Sequence, residues 1–316
     1  MALTLCAGLS GCSSRRNAMA GRSETSERLC EEARRAKDRG DTHAAENLLA
    51  SAVDRNPGDA ETRLELSEML LADGNAPGAS EHLKILVDQL PDDPRCLIGL
   101  AEAMYLEHRM LESAGLVEQA LDLDPRNGRG ILLRGKIEQA QGDHARALDD
   151  YYRVLATEPE HAEAKLLAAG LQSKQGDSRL AAQLLRSIVD ASDAANPYRE
   201  KAYWLLGECY ARDARWPDAA RALARGIASR PGLAADWNEL ANACWRSGDL
   251  RGASQALERA ISADPTNREA LALHAALDQQ ARMGAGSAPV VTRTSHLESS
   301  AGPGPGAERP QIRPGP

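Results

Sequence analysis

Six prolines set the frame for everything else in this chain. Pro57, Pro91, Pro125 and Pro159 follow one another at a constant interval of thirty-four positions, and Pro231 and Pro265 share that interval with each other. Twelve residues before each lies a small residue: Ala45, Ala79, Ser113, Ala147, Ala219 and Ala253. Four residues before each is an aliphatic one: Val53, Val87, Leu121, Leu155, Ile227 and Ile261. A period of this length marks a supersecondary unit too small to bury its own apolar face, so copies of it have to stack. Gly-Asp precedes the second apolar run of several units, in RGDTHAAENLL, QGDHARALDDY and SGDLRGASQAL. Glycine accepts the positive φ of a helix C-cap, which a tight turn between two helices needs.

Composition agrees with helices. Only 3% of residues are aromatic and none is phenylalanine, while 27% are charged, so no core here is built around large rings. Small, unbranched and charged residues favour helix. A net charge of −8 and a pI near 5.5 argue against a nucleic-acid surface, which needs a basic face. No apolar run reaches the roughly 18–20 residues of a membrane span, which excludes a polytopic membrane protein. The six cysteines, Cys6, Cys12, Cys30, Cys96, Cys209 and Cys244, form no CxxC and no even framework. Cys209 and Cys244 fall at related places of adjacent units, about 10 Å apart by helix diameter and too far for a disulfide. Cys30, Cys96, Cys209 and Cys244 are expected to be small core residues.

Period, residue types and order together resemble the tetratricopeptide repeat, in which two antiparallel helices, A and B, make up each unit of about 34 residues and proline closes it. YWLLGECY places Tyr203, Leu206, Gly207 and Tyr210 where helix A of that family carries a bulky residue, a Leu–small pair and a second bulky residue. WNELANAC matches through Trp237, Leu240 and Ala241, with Cys244 in the last bulky place. The resemblance implies an all-α, right-handed α-solenoid (superhelix) of about seven helix-turn-helix repeats, at 26–59, 60–93, 94–127, 128–161, 162–195, 200–233 and 234–267. A C-terminal capping helix, 268–282, completes the array of 26–283, and the Pro/Gly-rich stretch 284–316 is expected to be a disordered tail. Asp193 stands where the fifth unit expects proline, and 196–199 is an insertion that shifts the register by four residues. Arg63, Arg134, Glu138 and Lys165 occupy places where the family prefers apolar groups.

Such an array binds rather than reacts. Helix A of each repeat is expected to line a concave groove suited to a peptide or helix of a protein partner. The expected groove residues are Leu64, Glu68, Ile98, Glu102, Tyr105, Leu132, Lys136, Leu166, Trp204, Glu208, Asn238, Asn242 and Trp245. Leu64, Ile98, Leu132, Leu166 and Trp204 recur at one repeat position. That apolar stripe is either shared packing between neighbouring A helices or a ligand surface anchored by Tyr105, Trp204 and Trp245. Glu68, Glu102 and Glu208 are either an ordinary solvated face or a sign of a partner with basic character. The lysine–asparagine clamp by which some members of the family hold a C-terminal carboxylate does not carry over, because Cys30, Arg34 and Glu65 stand at its places.

No catalytic, cofactor or metal site is expected. His43, His82, His108, His144, His161, His274 and His296 are scattered and share no metal-ligand spacing, and no P-loop, GxSxG or strand-bound GxGxxG occurs. A small-molecule substrate is not expected either.

The N-terminus adds a compartment. MALTLCAGLSGC is apolar and ends in LSGC, which resembles the bacterial lipobox, a Leu–small–small–Cys tetrapeptide whose cysteine is lipidated after cleavage of the signal. No Lys or Arg precedes the apolar run. The resemblance implies a signal peptide at 1–11, lipidation at Cys12 and a flexible tether at 12–25. Acyl chains would then anchor the array in the bacterial cell envelope, facing the periplasm, in the outer rather than the inner membrane. The expected function is a non-catalytic scaffold for envelope, pilus or secretion assembly. The alternatives are a cytoplasmic adaptor without an anchor and a glycan- or peptidoglycan-binding accessory subunit.

Overall fold

A computed structural model describes residues 9–191, 196–228 and 232–283, with side chains from Glu24 to Gln280 within those ranges. The described residues form fifteen helices and no strand. They run in A–B pairs: α1 (Leu9–Asp38) with α2 (Thr42–Arg55), α3 (Ala60–Ala72) with α4 (Ala76–Gln89), and α5 (Pro94–Leu106) with α6 (Met110–Leu123). Next come α7 (Gly128–Gln141) with α8 (His144–Thr157) and α9 (Ala162–Gln175) with α10 (Ser178–Val189). The last pairs are α11 (Arg199–Arg212) with α12 (Trp216–Ala228) and α13 (Ala234–Ser247) with α14 (Leu250–Ala263), followed by α15 (Arg268–Met283). Seven helix pairs and a final single helix make the all-α solenoid that the proline interval implies.

The expected signal segment and Cys12 lie outside the described side chains, and 284–316 lie outside the described residues. Residues 12–25, expected as a tether, are helical backbone continuous with α1; no proline interrupts the stretch, and its Ala, Arg, Met and Glu content permits helix. Ser26 is the first buried side chain described, and its hydroxyl donates to the Ala52 carbonyl at 3.1 Å.

Local chemistry makes each turn. Gly40, Gly74, Gly142, Gly176 and Gly248 end A helices with φ between 77° and 98°. The following Asp41, Asn75, Asp143 and Asp249 then cap the B helices by accepting from backbone N–H groups. In repeats 3 and 6 the left-handed place is held by His108 (φ 62°) and Ala214 (φ 55°), which lack glycine's freedom there. Between units the B helix stops, the proline turns the chain, and Asp59, Asp93, Asn127 and His161 cap the next A helix.

The small residues twelve before the prolines are all buried, at 0–1% exposure. They mark where helices A and B cross closest. Glycine serves the same purpose on helix A: a Cβ on Gly135 would come within 2.7 Å of Tyr151, and one on Gly207 within 2.7 Å of Leu223. The buried core is a chain of clusters. One joins repeats 1–3 and one repeats 3–5, and one runs from repeat 5 to α15, with Leu184 packing against the last two. Cys30, Cys96, Cys209 and Cys244 are buried free thiols within this core.

The four charged residues at apolar places are accommodated by partners. Arg63 donates to the Pro57 carbonyl at 2.9 Å and meets His82 Nδ1 at 3.2 Å. Lys165 reaches Glu160 at 2.9 Å, Arg134 pairs with Asp150, and Glu138 accepts from Arg146 at 2.6 Å. A buried charge is tolerated only when it is ion-paired, as in the last three, or hydrogen-bonded, as Arg63 is.

Candidate partner-binding groove

Successive A helices meet directly: α3 with α5, α5 with α7, α9 with α11, and α13 with α15. No two successive B helices come as close among the described residues. Along these pairs the A helices form the inner side of the array, and their faces lie side by side from α3 to α11, with Lys136 and Glu163 joining α7 to α9.

Much of the expected apolar stripe is spent on this packing. Leu64, Ile98 and Leu132 are 6%, 2% and 6% exposed, so they are core residues and not ligand contacts. Residues at one place of successive A helices pack into the seam between repeats before any partner arrives. Trp245 is likewise a packing residue and not a groove anchor: it is 4% exposed, and its indole N–H donates to Gln280 Oε1 on α15 at 2.8 Å. Trp245 ties the cap to the last repeat. Asn238 is buried as well and donates to Asn267 Oδ1 at 3.1 Å. Asn242 is half-buried and accepts from Arg246 at 3.0 Å.

What remains open on the inner face is Tyr105, Leu166 and Trp204, each half-buried, together with a ladder of charges. Tyr105 packs on the core of repeats 3–5, and Leu166 and Trp204 on the core of repeats 5–7. The Trp204 ring lies over Gly226 of α12, where a Cβ would approach its Nε1 to 3.1 Å. Glu208 is exposed on the next turn.

The charge ladder links repeats. Arg129 on α7 bonds Glu102 on α5 through Nε at 3.1 Å and Glu68 on α3 through Nη1 at 3.0 Å, so one guanidinium spans three successive A helices. Arg95 meets Glu61 at 3.2 Å, Arg34 meets Glu65 at 3.6 Å, and Lys136 meets Glu163 at 2.6 Å. These pairs are at least partly exposed and each adds only about 0–1 kcal/mol. Their larger effect is on the surface potential. Glu68 and Glu102 share the single positive charge of Arg129, so both are hydrogen-bonded from within the chain and the trio keeps one net negative charge. Tyr198, from the 196–199 insertion, lies close enough to Glu163 to feel its carboxylate. Burial, then the Glu163 carboxylate, push its phenol up to about 12.

Arg129, Glu163 and Tyr198 are groove residues that repeat-position reasoning missed. Their signal was present: opposite charges twenty-seven positions apart, Glu102 with Arg129 and Lys136 with Glu163, join one A helix to the next. No described helix is long and apolar enough to cross a membrane, and no group of three or more metal-ligating side chains occurs among the described residues.

Stacked helix pairs with an open inner face define a repeat solenoid of the protein-binding kind. The chain belongs to the tetratricopeptide repeat family: models of that repeat match residues 36–102, 138–194 and 234–277, together more than half of the chain. Among curated relatives it is 28% identical over 122 residues to cellulose synthase operon protein C of Pseudomonas fluorescens (strain SBW25), a match covering 39% of this chain and 10% of that protein. It is 31% identical over 132 residues to the protein CTR9 homolog of Arabidopsis thaliana, covering 42% of this chain and 12% of that one. The chain thus spans only about a tenth of the length of either relative. Among solved structures, Pseudomonas aeruginosa pilF matches with a TM-score of 0.59 at 14% identity, over 68% of this chain and 96% of that one. YrrB, described as a tetratricopeptide repeat protein with an unusual peptide-binding site, matches at 0.53 and 18%, over 61% and 97%. A repeat protein from Parabacteroides merdae matches at 0.51 and 15%, over 81% and 99%. These structural likenesses bear on the fold alone.

Proposed function

We propose that this chain is a non-catalytic scaffold, held in the bacterial cell envelope by lipid at Cys12, that takes a peptide or helix of a partner protein along the inner face of its A helices. The observation that carries the binding half is the contrast on that face. Leu64, Ile98, Leu132 and Trp245 are withdrawn into packing, while Tyr105, Leu166 and Trp204 stay half-open beside a ladder of internally paired charges. Aromatic and apolar anchors within a polar frame are what a peptide-binding groove offers. Because Arg129 engages both Glu68 and Glu102 and leaves only one net negative charge among the three, the reading favours a partner recognised by apolar anchors over one recognised by bulk charge.

The envelope half rests on LSGC at 9–12 and the short apolar run before it. A role in assembling an envelope, pilus or secretion complex accords with that placement, and the peptide-binding site described for YrrB accords with the groove. Two measurements test the halves separately. Metabolic palmitate labelling should mark the wild-type chain and not Cys12→Ala; label that survives the substitution, or none in either, removes the anchor. Partner capture should fall for Tyr105→Ala and Trp204→Ala, and undiminished capture by both removes the groove. Co-sedimentation with sacculi should be absent; its presence would favour the glycan-binding reading.

A further inference from the structure

Repeats 6 and 7 carry, on the side away from the A-helix face, a device the other five lack. At the fourth position of helix A stand Tyr203 and Trp237, one repeat period apart. In each case an arginine twenty-two positions on, from helix B of the same repeat, lies against the ring: Arg225 at 5.9 Å from the Tyr203 centroid and Arg259 at 5.0 Å from that of Trp237. The corresponding pairs in repeats 1–5 are Leu29 and Ser51, Arg63 and Ile85, Leu97 and Gln119, Ile131 and Arg153, and Lys165 and Ser187. None of these combines a ring with a cation.

Each ring forms part of the wall of a cleft. The Trp237 cleft, between α12 and α14, encloses about 740 Å³ over a floor of Ala220, Ala224 and Ala256. The Tyr203 cleft, between α10 and α12, encloses about 510 Å³, and Arg221 borders both. The carboxylates at these clefts are largely engaged. Asp218 is held by Arg215 and Arg221, and Asp249 accepts from the Gly252 N–H at 2.8 Å as the cap of α14. Asp190 also lines the Tyr203 cleft, where it caps α10 through its backbone N–H and leaves its carboxylate beside Arg186, Arg221 and Arg225, and Arg186 and Arg259 pair with no carboxylate among the described residues. The two clefts therefore offer small-residue floors under a cationic rim. The contrast runs through the whole array: residues 26–161 hold 28 carboxylates against 16 lysines and arginines, and residues 162–267 hold 13 against 14.

We infer that these paired clefts are a second docking surface, for an acidic amphipathic helix of a partner protein laid across α12 and α14. Its apolar side chains fill the alanine-floored cleft and its carboxylates meet Arg225 and Arg259. A guanidinium carries more N–H donors than one contact uses, so an arginine stacked on a ring can still bind an anion while the ring desolvates one side. α12 and α14 do not pack directly, so they stand further apart than the about 8–10 Å of packed helices. Seven residues of helix rise about 10.5 Å, a same-face spacing longer than that, so carboxylates at i and i+7 are the pair chosen to meet the two arginines.

The test is fluorescence anisotropy with the full chain and a labelled synthetic helix of about 18 residues, bearing Glu at i and i+7 and Leu between them on the same face. It should bind, and binding should weaken about tenfold or more when lysine replaces both glutamates. Arg225→Glu with Arg259→Glu should produce the same loss. Both arginines are exposed, so the thermal melt serves as the folding control, and Arg225→Gln with Arg259→Gln serves if the doubly reversed variant fails it. No binding, preference for the lysine peptide, or binding that survives the substitutions in a folded variant overturns the inference. Sedimentation showing self-association that vanishes with the same substitutions would put a second copy of the chain in the clefts and overturn it too. Tyr105→Ala, which tests the inner groove, should leave this binding unchanged.

Discussion

Arg134 on α7 donates from Nε and Nη2 to the two carboxylate oxygens of Asp150 on α8, each at 2.7 Å, inside the seam between the two helices of repeat 4. Asp150 is 3% exposed, so its charge depends on this fork and on Arg153, whose Nη1 donates to Oδ1 at 3.2 Å. Removing one partner of a buried pair leaves an uncompensated charge, which costs about 3–5 kcal/mol. Asp150→Ala should lower the stability of the array by about that much in urea titration. Arg134→Met with Asp150→Leu should recover most of it, because an apolar pair of similar size avoids the desolvation. Equal losses for single and double variants would show that the fork does not carry the effect.

Glu138 sits in the same seam with Oε2 buried and without a hydrogen bond. Burial, and then the nearby Asp150, hold its carboxyl above the ordinary 4.5. The folded state thus keeps a proton that the unfolded chain releases, so this residue's contribution to stability falls as pH rises from about 4.5 through its raised value. Glu138→Met should flatten that fall and be stabilising at pH 7.5, by about 1 kcal/mol for relief of the unmet polar atom. Its former partner Arg146 is already largely solvated, at 67% side-chain exposure. An unchanged pH profile for urea midpoints would contradict this.

The turns supply an internal control. His108 and Ala214 hold a left-handed backbone that glycine holds in the other five repeats. His108→Gly and Ala214→Gly should each stabilise the chain by about 0.5–1 kcal/mol, while Gly142→Ala should destabilise it by about 1 kcal/mol. Thermal midpoints of the three single variants check the signs, and a gain for Gly142→Ala would be the wrong one.

Trp245 closes the last repeat onto α15 through Gln280. Trp245→Ala should cost about 3–5 kcal/mol, and amide exchange should quicken first in 268–280, before repeats 1–4 respond. Nearest-neighbour coupling in a solenoid requires that order; uniform loss of protection would contradict it.

These predictions divide along the line of what the sequence makes legible. The proline interval, the small crossing residues and the Gly-Asp turns are local or strictly periodic, so the repeat and its boundaries read directly from residues such as Ala147 and Gly142. The same periodicity leaves Leu64, Ile98 and Leu132 open between packing and binding. A helix position can face the inner surface and still be covered by its neighbour, and spacing does not report that overlap. Asp150 was invisible as the partner of Arg134 for a related reason: which B-helix carboxylate enters the seam depends on side-chain reach. Tyr198 belongs to an insertion, outside any period, and its arrival beside Glu163 is a tertiary fact.

The most direct test of the inner groove is photo-crosslinking in cells that make the chain naturally, with benzoylphenylalanine placed at Tyr105 or Trp204 on the A-helix face and at Ile85 or Leu123 on exposed B-helix positions. Ile85 is 41% and Leu123 47% exposed, so both are as reachable as the inner sites. The account predicts a discrete partner adduct from Tyr105 and Trp204 and none from Ile85 and Leu123. Adducts from the outer pair alone, or from none of the four, would contradict it.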